Sequence, residues 1–163
     1  MRKILVFALL FAAVVLQSPA QGGQPDQFPP DTLIVLDRGA CEQRCAVYRL
    51  TIFADGTVIY DGRYFVRRPG LARSLISPRA LARLVADLDA GGFFAMENNY
   101  GYRNQDHCDA FEAGEPTAIL TVSSGGRSKT ILHSHGCSGK ASSRLTDLED
   151  KVDRAVGSAK WIK

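Results

Sequence analysis

The sequence predicts an α+β domain: an antiparallel sheet, made of a meander and a later hairpin, with two helices packed on one face. Three observations carry this. Short alternating apolar and polar runs flank Asp-Gly pairs between Leu33 and Arg68. A second alternating pair flanks Gly125-Gly126. Two longer segments, after Ser77 and after Ser142, repeat apolar residues at helical spacing.

Residues 1–20 read as a secretory signal peptide. Arg2 and Lys3 are its basic start, Ile4 to Leu16 an uncharged apolar run of 13 residues, and Ser18-Pro19-Ala20 a small-residue cleavage site. A membrane span needs about 20 apolar residues, so the run is too short to be one. The expected mature protein is therefore exported, periplasmic or secreted, with no membrane span after signal removal. Residues 21–31 hold two Gly and three Pro with no hydrophobic period, and read as a flexible leader. Residues 32–163 then form a single domain.

Leu33 to Leu36 is a β-branched apolar run, the first expected strand. Ala46 to Phe53 alternates, and Asp55-Gly56 reads as a type I′ hairpin turn into Thr57 to Tyr60. Asp61-Gly62 reads as a second such turn, with Arg63 to Arg68 running back and Pro69-Gly70 ending the meander. Ser77-Pro78 offers a cap and a first-turn proline, and Leu81, Leu84, Val85 and Leu88 form one stripe before Gly91-Gly92. Phe93-Phe94 is expected in the core. Residues 97–116 lack a period and read as a long loop. Thr117 to Ser124 and Arg127 to His135 read as the later hairpin. Ser142 to Val156 reads as the second helix, with Trp161-Ile162 packing behind it.

The chain has 20 basic and 17 acidic residues, a formal charge of +3; removing Arg2 and Lys3, from a segment without acidic residues, leaves +1. A dedicated nucleic-acid binder carries a larger basic surplus, so nucleic acid is not expected as a partner. The charge is uneven. Residues 38–83 hold nine Arg against Glu42, Asp55 and Asp61, whereas residues 84–115 hold seven acids against Arg103. Arg49, Arg63, Arg67, Arg68 and Arg73 mark a basic strip on the meander. Its plain reading is a solvated sheet face; its sharper reading is a site for an acidic envelope polymer or protein.

Four cysteines in an exported chain imply two disulfides with three possible connectivities. In a strand, Cys41 and Cys45 would stand about 13 Å apart, beyond a bridge, but a bend brings them within reach. Proximity favours Cys41 with Cys45 and Cys108 with Cys137. The competing reading is a metal site joining His107 and Cys108 to His133, His135 and Cys137, although the spacing fits no compact zinc motif and an oxidising compartment favours the disulfide.

No Gly-x-Ser-x-Gly, His-Glu-x-x-His, phosphate loop or EF-hand pattern occurs, and no cofactor is expected. His107 and His133 are candidate acid–base groups with Asp106 or Asp109. The expected function is thus a non-catalytic binding or interaction domain. The alternative is a small hydrolase or metal-binding protein using His107, His133 and His135.

The stretch RGACEQRCAVYRLTIFADGTVIYDG, Arg38 to Gly62, carries an Arg-x-x-Cys-x-x-x-Cys-x-x-Tyr opening followed by an Asp-Gly hairpin ending in Tyr-x-Gly. Arg38, Cys41, Cys45, Tyr48, Asp55, Gly56, Tyr60 and Gly62 supply those positions. The chain resembles, on these residues, an exported bacterial family numbered 6438 among the domains of unknown function. Ile76-Ser77-Pro78, Phe93-Phe94, Tyr100 and Trp161-Ile162 extend the likeness over about residues 33–163. Gln43 and Ala46 depart from it, where Gly and Pro are expected. The resemblance implies a fold and a compartment, and no activity.

Overall fold

The computed structural model describes residues 28–101 and 106–163. The expected signal peptide and most of the leader lie outside them. Strand β1 (Leu33–Arg38) is the centre of a seven-stranded sheet ordered β4-β3-β2-β1-β7-β8-β5. The meander is β2 (Val47–Phe53), β3 (Thr57–Tyr64) and β4 (Gly70–Leu75); the later hairpin is β7 (Thr117–Ser124) with β8 (Arg127–Ser134). All pairings in this sheet are antiparallel except that of β5 (Asn99–Tyr100) with β8. A small second sheet joins β6 (Ala110–Phe111) to β9 (Cys137–Ser138).

The register explains the core. Ile34 lies between Ile52 and Val122, and Leu36 between Leu50 and Leu120. Alternation puts all six on one face, where they are buried. That face is covered by α1 (Pro78–Ala90), through Leu81, Leu84 and Leu88, and by α2 (Lys140–Val156), through Leu145, Leu148, Val152 and Val156. Ser77 caps α1, its hydroxyl accepting from the Ala80 amide at 3.2 Å. Phe93 is fully buried, and Trp161, in the short α3 (Ala159–Ile162), stacks on Tyr60 with ring centroids 4.6 Å apart. The fold is the expected α+β arrangement.

Three local expectations are corrected. Asp55-Gly56 is not a type I′ turn, because only Gly56 has positive φ, at 78°. Asp61-Gly62 is not a turn at all: β3 runs straight through it. Gly62 is needed there for close approach, since a Cβ would lie 2.4 Å from the Arg68 carbonyl oxygen and from the Tyr60 hydroxyl. The chain reverses instead over 65–69, with Phe65 in the left-handed region at φ 52°, and the return strand is β4. Finally, the long loop contains β5 and β6, which hold it along β8 and β9. By contrast Gly125 and Gly126, at φ 60° and 75°, make the expected two-residue hairpin turn. The Asp31 carboxylate accepts both their amides, at 3.0 and 2.7 Å.

Candidate functional site

Arg38 closes β1 on the helix-covered face. It faces Tyr48 on β2 and Ala118 on β7, and Ala118 in turn faces His133 on β8. These polar side chains continue the core rows, so α2 has to meet them with polar groups. It does so with Glu149 and Asp153, one helical turn apart on the side that also carries Leu145, Leu148 and Val152.

The Glu149 carboxylate is fully buried and has three donors around it. Arg38 Nη1 approaches Oε2 at 2.7 Å, His135 Nε2 approaches Oε2 at 2.8 Å, and His133 Nδ1 approaches Oε1 at 2.8 Å. Arg38 Nη2 donates to Asp153 at 2.9 Å and to Asp150 at 3.1 Å. The Tyr48 hydroxyl donates to Asp153 at 2.8 Å, and the Ser158 hydroxyl donates to the same oxygen at 2.6 Å. On its far side, His133 Nε2 lies 2.8 Å from Ser142 Oγ, whose proton goes to the Cys137 carbonyl. Both ring nitrogens of His133 are therefore engaged by protein groups.

Electrostatics follow from this packing. Burial would push the Glu149 carboxyl up, but the hydrogen bonds of His133 and His135 and the charge of Arg38 outweigh it and hold the group at about 2. Burial likewise works against the Arg38 cation, yet Glu149 and Asp153 raise it above its ordinary value. Burial, then the neighbouring Asp153 charge, raises the Tyr48 hydroxyl.

The ligand atoms of His133, His135 and Glu149 lie within 4.8 Å of one another, the spacing of a possible metal centre. The residues do not fit that role. Arg38 Nη1 stands 2.7 Å from the Glu149 oxygen and 3.1 Å from His135 Nε2, so a fixed cation already occupies the mouth of the set. Cys108 and Cys137, the two cysteines of the competing metal reading, are bridged to each other, and Cys41 is bridged to Cys45, the pairing that proximity favours; their Cα atoms lie 5.1 and 5.8 Å apart.

His107 does not join His133 and His135. It lies 3.9 Å from Glu97 at the surface, and its ring and that of His133 meet only through Tyr100. The three-histidine site of the alternative reading is thus corrected to a pair on Glu149. Beside the pair, a cleft of about 630 Å³ opens between β1 and the end of α2, lined by Arg38, Tyr48, His135, Ala46, Pro116 and Ile162 among others.

The arginines of the meander separate into two groups. Arg49 and Arg63 both pair with Asp37, and Arg63 also with Asp61 at 3.2 Å, which neutralises the middle of the strip. Arg67 donates to the Lys160 carbonyl, and the Arg68 amide donates to the Trp161 carbonyl at 3.0 Å, so the 65–69 turn is docked on α3. Arg44 lies over the Phe65 ring, 5.3 Å from its centroid. Among the described residues, Arg44, Arg67, Arg68, Lys160 and Lys163 make no ion pair with a carboxylate side chain.

Sequence reasoning missed Glu149, Asp153 and Ser142. A signal existed for the first: Glu149 falls four residues after Leu145 and three before Val152, inside the apolar stripe of α2. A carboxylate at such a position must find buried donors. A family model, Domain of unknown function (DUF6438), matches residues 32–156. No curated protein matches the chain.

Proposed function

Since this chain belongs to the DUF6438 family, whose description assigns no activity, its role has to be read from its own surfaces, and we propose that it is an exported, disulfide-stabilised binding domain of the bacterial envelope that takes an acidic partner without turning it over. One observation carries this reading. At the end of the meander, Tyr64 and Phe65 are 66% and 54% exposed, beside cations that have no carboxylate partner. A left-handed conformation at a bulky residue costs roughly 1–2 kcal/mol, and here it holds an aromatic ring out toward water. Exposed aromatic and arginine side chains in one patch are the composition of binding hot spots.

The histidine pair supports the same reading. His133 is buried with both nitrogens engaged by protein groups, so neither faces a substrate. His135 reaches the cleft, but its Nε2 is held on Glu149. The cluster thus fastens α2 to the sheet centre.

The test is capture from envelope extract with the native chain, compared with Arg44→Glu combined with Arg68→Glu. The expected outcome is a partner retained by the native chain, released by rising salt and lost by the double variant. Equal capture by the double variant across salt refutes the basic-patch reading. A turnover abolished by His135→Ala would replace it with an enzyme.

A further inference from the structure

We infer that β4 is a docking edge for an extended acidic polypeptide segment, which adds to the sheet as an eighth strand. The inference rests on the reading above and names how the partner is held.

β4 is the outermost strand, and its six residues pair with β3 in unbroken register. Just beyond it, the Ile76 amide donates to the Gly56 carbonyl at 2.9 Å. That bond sets the phase of the antiparallel ladder, in which bonded and non-bonded pairs alternate. The N–H and C=O groups of Leu71, Arg73 and Leu75 are consequently directed away from β3. Among the described residues, no other backbone group bonds to them.

Native sheets blunt such edges with proline, bulges, inward charges or a covering segment. The opposite edge is covered in part, by β5 against Leu132 and His133. β4 has only the single charge of Arg73 as protection: no segment covers it, no proline or bulge interrupts it, and Leu71 and Leu75 are 72% and 74% exposed. Its open-face side chains run Leu71, Arg73, Leu75, apolar then basic then apolar.

Charge identifies the occupant. Residues 62–86 contain six arginines and no acidic residue; of the neighbouring acids on the meander, Asp61 is paired with Arg63 and Asp55 is bonded to Thr57 while acting on Arg73, so the cations outnumber the acids at this edge. A second copy of the chain pairing antiparallel about the strand centre would set Arg73 against Arg73, and like charges directly opposite destabilise a pair. An incoming strand with apolar, acidic and apolar residues at alternate positions places a carboxylate on Arg73, where the guanidinium can bind it in two-pronged fashion. Main-chain bonds supply the remaining contact.

The experiment uses a fluorescent peptide with valine, glutamate and valine at alternate positions and threonine between them, titrated into the native chain. Binding is expected, about tenfold weaker or worse for a peptide N-methylated along its bonding edge, because about two net hydrogen bonds are lost. Arg73→Glu, an exposed edge substitution, is expected to reverse the preference to the lysine version of the peptide. Absence of binding overturns the proposal. So does equal affinity for the N-methylated peptide, or equal affinity for the glutamate and lysine peptides. A dimer of the chain that the peptide competes away overturns it in favour of a second copy. Capture lost in Arg44→Glu with Arg68→Glu, alongside equal binding of the N-methylated peptide, means that the basic patch stands and strand addition falls.

Discussion

Replacing Glu149 by Gln removes the one negative charge that faces Arg38, His133 and His135 together, and leaves their shape almost unchanged. Two routes give the size of the effect. Removing one partner of a buried ion pair costs about 3–5 kcal/mol, because the other charge stays buried without compensation. Independently, the native carboxyl is held at about 2 against an ordinary 4.5, and that difference corresponds to about 3 kcal/mol by linkage. The two agree, so Glu149→Gln should lose about 3 kcal/mol at neutral pH. In urea, with a slope of about 2 kcal/mol/M, the unfolding midpoint should fall by about 1.5 M. The pH dependence adds a sign. A carboxyl depressed in the folded state stabilises above its unfolded value and loses that contribution as pH falls through its folded value. The gap between native and variant proteins should therefore shrink between pH 4.5 and about 2. Asp31 and Asp55, also held low by backbone and hydroxyl donors, cancel because both proteins contain them. Urea titrations by circular dichroism, under non-reducing conditions at several pH values, measure this. A midpoint shift under about 0.5 M at pH 7, or a gap that stays constant down to pH 2, refutes the reasoning.

Other outcomes follow from the same structure. Gly62→Ala should destabilise by about 2 kcal/mol or more, since its Cβ would strike the Arg68 carbonyl and Tyr60; a thermal midpoint within 2 °C of the native value contradicts this. Cys108→Ser with Cys137→Ser should lose roughly 3.5 kcal/mol in the same urea assay, the chain-entropy value for a loop of this length. Non-reducing peptide mapping of the native protein should find the 41–45 and 108–137 bridges; a peptide joining Cys41 or Cys45 to Cys108 or Cys137 contradicts the pairing. Mass spectrometry of the native protein should place its N-terminus at or near Gln21, and intact Met1 in soluble cytoplasm contradicts export.

Most of the fold was legible because it is written in local periodicity. Ser77-Pro78 and Gly91 bracket α1, and Gly125-Gly126 turns β7 into β8, each through conformational demands that act within a few residues. Local periodicity misleads where a residue serves a distant contact. Gly62 looks like a turn glycine, but it makes room for a carbonyl six residues on. Phe65 turns the chain although its type argues against it, because the segment is fastened to α3 by Arg67 and Arg68. The site was half legible. His133 and His135 stand out by spacing, whereas the acids that the sequence offers, to His107 and His133, are the loop residues Asp106 and Asp109. The acid that meets His133 and His135 is Glu149, which only the crossing of α2 over β8 brings within reach.

The Cys108–Cys137 bridge has a consequence beyond its own strength. It ties Cys108, just before β6, to β9 at the end of β8; β5 covers part of that sheet border, while β4 leaves the other border open. The two borders therefore differ in what holds them. Leu132 and His133 of β8 are capped by a strand whose segment carries a covalent tie, whereas nothing beyond its own side chains guards β4. The covalent constraint in this domain thus sits at the border opposite the open one.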